Sequence, residues 1–210
     1  MYFETIMIAV TGPSGAGKST FCRHLISLLP KDKSLLLSQD SYYKDLSHLS
    51  MNERALHNYD HPESIDFKLL LEHLTDLKNK KKILQPNYDF KSHCRLRNNK
   101  VIHPKEFVIV DGTLIISQQK LYPLFNLIIY IDLNQETCLE RRIKRDISER
   151  GRTKKCVLEQ YNNTVKPMFE KYIHPNKQNA DVIVSGENNK ELVSNQAKKI
   201  MNIQKSLQIM

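Results

Sequence analysis

Residues 12–20 read Gly-Pro-Ser-Gly-Ala-Gly-Lys-Ser-Thr, follow the apolar run Met7-Ile8-Ala9-Val10 and lead into a helical pattern. They match G-x-x-x-x-G-K-[ST] at every fixed position, in the strand–loop–helix context that gives this motif its meaning. Glycine lets the backbone approach an anion where a Cβ would clash. The loop amides and the unpaired N–H groups of the following helix then converge on one space, at the positive end of the helix dipole. Gly12, Ser14, Gly15, Ala16, Gly17, Lys18, Ser19 and Thr20 are therefore the candidate phosphate-binding residues. Lys18 supplies a point charge for the outer phosphates, and Ser19 can hold Mg²⁺. A chain built this way binds a nucleoside triphosphate; the motif alone leaves the use of it open.

At 210 residues and 40% hydrophobic, the chain has the size of a single domain with a proper core. No apolar stretch nears the length of a membrane span, and no secretory pattern opens the sequence, so the expectation is a cytoplasmic protein. Its four cysteines are scattered, with neither a C-x-x-C pair nor zinc spacing, and read as reduced thiols. The net charge of +9 is concentrated in 78–82 and 141–152. No aromatic RNA-binding signature accompanies it, which argues against nucleic acid as the partner.

Apolar runs alternate with helical patterns, which predicts an α/β fold with a mainly parallel sheet. Strands are expected at 5–10, 34–37, 107–110, 127–131 and 181–184. Helices are expected after the loop to Pro30, from the capping box Ser50-Met51-Asn52-Glu53, over 66–77, from Gln135 through Arg145, and over 156–172, where Pro167 must bend or break it. A closing helix carries Val193, Ala197, Ile200 and Ile203. Residues 83–90 and 97–103 read as an antiparallel β-ribbon inserted into this frame, at about 83–104.

Three classes of protein use such a loop. A GTPase switch carries N-K-x-D; the nearest match, Asn176-Lys177-Gln178-Asn179, lacks the Asp. A motor ATPase ends a strand in Asp-Glu, whereas Phe107–Val110 runs into Asp111-Gly112, with no base for water. A small-molecule kinase needs a carboxylate near the γ-phosphate, a lid of arginines and an acceptor pocket. Asp40 lies just past the second strand, at the sheet edge where open α/β folds place ligands. Arg142 and Arg145 share a helix face, and Arg150 and Arg152 flank Gly151, giving an arginine-rich lid at about 141–156. Singly, Asp40 reads as a cap and the arginines as a solvated helix; beside the phosphate loop they read as catalytic parts.

Asp40-Ser41-Tyr42-Tyr43-Lys44-Asp45, Asn58-Tyr59-Asp60-His61-Pro62, Pro86-Asn87-Tyr88-Asp89-Phe90, His93-Cys94-Arg95, the segment RRIKRDISERGR at 141–152, and Gln160-Tyr161 complete a set. With it the chain resembles, over nearly its whole length, the bacterial-type uridine kinase (uridine–cytidine kinase) family. Phosphoribulokinase and pantothenate kinase share the loop and architecture but not this set. The resemblance implies a three-layer P-loop NTPase fold, and phosphoryl transfer from ATP or GTP to the 5′-hydroxyl of uridine or cytidine. It implies Asp40 as base, close to Mg²⁺, and Asp60 on the ribose hydroxyls. Tyr88 and His93 would read the pyrimidine edge, with Tyr43 and Tyr59 around the base. Arg142 and Gln160 would contact the nucleoside, while Arg145, Arg150 and Arg152 would serve the lid, mostly at phosphate. Ser19, Asp40 and Asp111 would surround the metal. The family also implies a homotetramer. Two departures stand out: Asp111 replaces the usual Glu, and Asn87 replaces a commonly apolar residue. A regulatory protein that keeps the loop without turnover is the rival reading, and the intact Asp40 and lid argue against it.

Overall fold

Strand β1 (Ile6–Thr11) is the buried spine of the molecule. After it come α1 (Lys18–Leu28), β2 (Ser34–Ser38), α2 (Met51–Leu56), α3 (Phe67–Lys78), β3 (Ile83–Asp89), β4 (Cys94–Ile102), β5 (Phe107–Asp111), β6 (Leu127–Asp132), α4 (Gln135–Arg150), α5 (Lys154–Gln160), α6 (Lys166–Met168), β7 (Val182–Ser185) and α7 (Lys190–Gln208). The computed structural model describes residues 3–187 and 190–208.

The central sheet has the order β2-β5-β1-β6-β7 and all its pairs are parallel. Both faces of β1 are covered, which is why it reads as an unbroken apolar run rather than an alternating one. Ile6, Ile8 and Val10 pack with Phe21, Leu25, Val193, Ala197 and Ile200 from α1 and α7. Met7 and Ala9 face the opposite layer, with Leu70, Leu74 and Leu77 of α3. The result is three layers, helices on both sides of a parallel sheet. Truncating one of these buried leucines to Ala would cost about 2–5 kcal/mol.

Register fixes the working edge. Ser38 of β2 and Val10 of β1 both pair with Asp111 of β5, so the carboxyl ends of three strands lie side by side. The phosphate loop follows directly from β1.

The ribbon of β3 and β4 forms a separate two-stranded antiparallel sheet with an irregularity between Gln85 and Asn87. Its second strand begins at Cys94, three residues before the expected start, because Cys94, Arg95 and Leu96 pair with Asp89, Tyr88 and Asn87 across the ribbon. Helix α4 likewise continues past Arg145 to Arg150, where Gly151 at φ 65 closes it in the left-handed conformation. Around Pro167 the chain neither breaks nor ends. Five-residue π-turns at Tyr161–Val165 and Phe169–Ile173 flank α6 and widen the helical path at the residue that lacks an N–H. Leu28, the last residue of α1, is 40% exposed, while Leu29 just beyond the helix is buried. The capping box at Ser50 forms as expected, with Ser50 and Glu53 bonding reciprocally.

Candidate active site

The phosphate loop is shaped by close packing against α4. Gly15 has φ +88, and a Cβ there would lie 2.2 Å from the Cys138 carbonyl oxygen. The loop therefore rests directly on the helix that carries the arginines. Helix α1 opens at Gly17 without a side-chain cap and with no acidic residue in its first turn, leaving its first N–H groups for an anion. The Lys18 ammonium is buried and donates to the Gly12 and Pro13 carbonyls at 3.0 and 2.9 Å. Burial lowers its pKa, while Asp111 and Asp40 oppose the shift.

One cavity extends from this loop across the sheet edge to the ribbon. Ser14, Lys18, Ser19, Asp40 and Asp111 line one end, and Tyr43, Tyr59, Asp60, Tyr88 and His93 the other, with Arg142, Arg145, Arg150, Arg152 and Gln160 over it. Asp40 stands on the 3-10 turn Gln39–Tyr42 that follows β2, and its N–H donates to the Ser38 hydroxyl at 3.2 Å. Burial raises the Asp40 pKa, and the neighbouring Asp111 charge adds to the rise. Ser19 Oγ donates to Asp111 Oδ2 at 2.7 Å. One hydroxyl and two carboxylates are hard oxygen donors, and with phosphate oxygens they suit Mg²⁺, which accepts few protein ligands and keeps its waters.

The far end is aromatic. Tyr59 stacks on His93 with centroids 4.8 Å apart, and Tyr43 lies 5.1 Å from Tyr88. His93 holds φ 55, a region that non-glycine residues seldom adopt and that clusters at functional sites. The Tyr88 hydroxyl is buried and approaches the Tyr59 hydroxyl, which itself donates to the Arg54 carbonyl at 2.9 Å. Arg95 anchors the ribbon: its guanidinium donates to the Tyr42 and Tyr43 carbonyls and reaches Asp66, the N-cap of α3, at 3.2 Å.

Arg142 is the most buried of the lid arginines, at 4% exposure. It donates to Ser14 Oγ at 3.0 Å and Gln160 Oε1 at 3.1 Å, and pairs with Asp60 at 3.5 Å. Arg152 also donates to Gln160. Arg150 lies over the Phe90 ring, 4.8 Å from its centroid, so the lid touches the ribbon. A second groove, lined by Gly17, Thr20, His24, Arg141, Gly186 and Val193, crosses the other side of α1. Thr20 faces this groove rather than the main cavity.

Sequence reading missed Gln39 and Phe90, which also line the main cavity, and Asp146, which is fully buried beneath the arginines. Phe90 was within reach, as an aromatic between Tyr88 and His93; Asp146 looks like one more charge on a solvated helix.

The sequence model of the phosphoribulokinase / uridine kinase family matches residues 7–192. The chain belongs to this family. It is 44% identical over 186 residues to a uridine kinase of Clostridium perfringens (strain ATCC 13124), covering 88% of this chain and 89% of that one. With a uridine kinase of Streptococcus gordonii it shares 40% identity over 205 residues, covering 96% and 98%. Among solved structures, a possible uridine kinase from Bacillus stearothermophilus superposes with a TM-score of 0.61 at 13% identity, covering 87% of this chain and 90% of that one. D-glycerate 3-kinase from Cryptococcus neoformans gives 0.63 at 14%, covering 89% and 88%. At those identities the structures speak for the family's fold alone. Among the described residues, no helix is long and apolar enough to cross a membrane.

Proposed function

We propose that this protein is a pyrimidine ribonucleoside kinase, which transfers the γ-phosphoryl group of ATP or GTP to the 5′-hydroxyl of uridine or cytidine. The observation that carries the reading is the single cavity joining the Lys18 loop, the Asp40 carboxylate and the Tyr88–His93 ribbon beneath the arginines. The relatives named uridine kinase support the same acceptor.

The donor's phosphates lie along the loop, where the Lys18 ammonium exchanges the Gly12 and Pro13 carbonyls for phosphate oxygens. Its base enters the groove beside Arg141 and Gly186. Ser19, Asp40 and Asp111 would hold Mg²⁺, which would supply neutralisation of the phosphate charge. The acceptor's ring lies against Tyr43, Tyr59, Tyr88 and His93, and its ribose hydroxyls donate to Asp60. Asp40, with its raised pKa, takes the proton from the 5′-hydroxyl. Arg145 stabilises the charge of the transferring group, Arg142 and Gln160 contact the nucleoside, and Arg150 and Arg152 close the lid against water. Residues 1–210 act as one kinase domain, with 83–104 as the base-binding ribbon and 141–156 as the lid. We place the enzyme in the cytoplasm as a homotetramer; Leu84, Leu96 and Val101, exposed apolar residues of the ribbon, support association between copies.

The test is nucleoside-dependent diphosphate release over a nucleoside panel with both donors. Uridine and cytidine turn over, adenosine and guanosine do not. Asp40→Asn lowers kcat by about 10²–10⁴ and keeps most triphosphate binding, whereas Lys18→Ala loses both. Absence of nucleoside-dependent release would refute the reading, and near-normal turnover of Asp40→Asn would remove Asp40 as the base.

A further inference from the structure

Asp146 is fully buried, yet four guanidinium groups converge on its carboxylate. Arg145 engages Oδ1 through two nitrogens, Nε at 2.9 Å and a terminal nitrogen at 2.8 Å. Arg150 reaches the same oxygen at 3.6 Å, and Oδ2 faces Arg142 and Arg152, each at 3.6 Å. The backbone takes part too. The Asp146 carbonyl accepts from the N–H groups of Gly151 and Arg152, so one residue closes α4 and sets the turn that carries Arg152.

Four cations gathered over one cavity repel one another, and the repulsion is strongest where water is excluded. A buried carboxylate at their centre offsets it, and is itself tolerable only because they surround it. Burial alone would raise the Asp146 pKa, but the arginine charges outweigh it and hold the carboxyl below its usual range, so it stays ionised.

The two oxygens differ. Oδ1 is tightly bonded to Arg145, whereas Asp146 Oδ2 and Arg142 Nε are both buried without a partner at hydrogen-bond geometry. On that side charge, not a directed bond, ties Asp146 to Arg142 and Arg152, whose directed bonds run to Ser14 and Gln160 and fix their aim. Arg145 spends one edge of its guanidinium on Asp146 and still lines the cavity. An arginine has five N–H donors in a rigid fork, so fixing one edge aims the rest.

We propose that Asp146 is the positioning residue of the lid: it gathers Arg142, Arg145, Arg150 and Arg152 into a preassembled cationic cluster that meets the transferring phosphoryl group already aligned. Such preorganisation removes a reorganisation cost from the transition state, so its loss falls on kcat more than on binding. The inference rests on the kinase reading of the same site.

The experiment is a double-mutant cycle on the full chain, comparing Asp146→Asn, Arg145→Ala and the double variant, each with a melting curve. Asp146→Asn keeps the shape and removes the charge. It lowers kcat by about 10²-fold while acceptor KM moves less than about threefold. In the Arg145→Ala background the same substitution costs at least about threefold less than in wild type, since Arg145 is the arginine that Asp146 bonds directly. Additive losses, or a kcat within about threefold of wild type, overturn the proposal. If Asp146→Asn does not melt cooperatively, the arginine Nε–H resonances of the wild-type protein decide. A slowly exchanging Arg145 Nε–H before nucleotide is added supports the hub, and exchange as fast as in exposed arginines refutes it. A wild-type chain with no nucleoside-dependent turnover sinks the kinase reading instead, and leaves the resonance test of the hub standing.

Discussion

Ser19 Oγ donates to Asp111 Oδ2 at 2.7 Å, joining the first turn of α1 to the carboxyl end of β5. Asp111 also faces the Lys18 ammonium and the Asp40 carboxylate, so its charge acts on the loop and, in the proposed function, on the metal site. Asp111→Glu restores the residue usual in the family and keeps turnover within about threefold, because a longer carboxylate can replace a bridging water. Asp111→Asn keeps the hydrogen bond and loses the charge, and its Mg²⁺ requirement rises at least about tenfold. Titrating Mg²⁺ against turnover in both variants checks this; a severe loss in Asp111→Glu would show a site rebuilt around the shorter side chain.

Asp60 receives Arg142 on one oxygen and the Thr164 hydroxyl on the other, both at 3.5 Å. These long contacts leave room for the shorter bonds that ribose hydroxyls would make. A site built to accept from a hydroxyl rejects the analogue lacking it by as much as about 10⁴–10⁵. We expect 2′-deoxyuridine to be a very poor acceptor, and Asp60→Ala to damage uridine use while narrowing the gap between the two. Steady-state kinetics with both nucleosides on both proteins measures that gap; an unchanged ratio in Asp60→Ala would move ribose recognition elsewhere.

The only protein group that the buried Tyr88 hydroxyl approaches among the described residues is the Tyr59 hydroxyl, so removing the Tyr88 hydroxyl costs about 1 kcal/mol or less. Tyr88→Phe is expected to melt within about 4 °C of wild type, and to change the ratio of uridine to cytidine turnover. A hydroxyl can donate to uracil O4 or accept from cytosine N4, and Phe can do neither. A large drop in melting temperature with an unaltered ratio would mark Tyr88 as a packing residue only.

His93 is held below its usual pKa by burial and then by the Arg152 and Arg150 charges. A lowered pKa keeps the ring neutral through the ordinary histidine range near 6.5. If a neutral ring reads the base, acceptor kcat/KM stays level from pH 8 to about 6.5 as far as His93 is concerned, and falls only in more acidic solution. Arg152→Ala removes a like charge, so the pKa rises and the fall moves to higher pH. Folding follows the same sign: the native state disfavours the charged ring, so His93 subtracts stability as pH drops through its unfolded value. NMR titration of the His93 ring in both proteins, beside the rate profile, tests the shift.

Arg95 ties the ribbon to the turn that carries Asp40 and Tyr43. Arg95→Met removes bonds to two backbone carbonyls and the Asp66 pair, at a cost of about 1–3 kcal/mol. Because that turn then loosens, acceptor KM rises along with the loss of stability. Denaturant melts and KM measured on one preparation would show both; a change in stability alone would confine Arg95 to the scaffold.

The elements legible in the sequence are those whose cause is local. Met7-Ile8-Ala9-Val10 and Phe107–Val110 read as buried strands because both faces of a central parallel strand are apolar. Ser50 and Glu53 announce α2 because their bonds close within one turn. The phosphate loop is legible because its glycines and lysine act on a ligand through their own backbone and charge. Tertiary structure decided what depends on distant partners. The early start of β4 at Cys94 is set by pairing with β3, and Pro167 is absorbed by π-turns within a continuous helical path. Asp146 is the sharpest case: in Arg141–Arg152 it reads as one acid on a basic, solvated face. Only when α4 packs against the phosphate loop and Gly151 turns the chain back do four arginines enclose it. Residue spacing records which side chains share a helix face, whereas the burial that makes a carboxylate a hub is created by the segments packed over it.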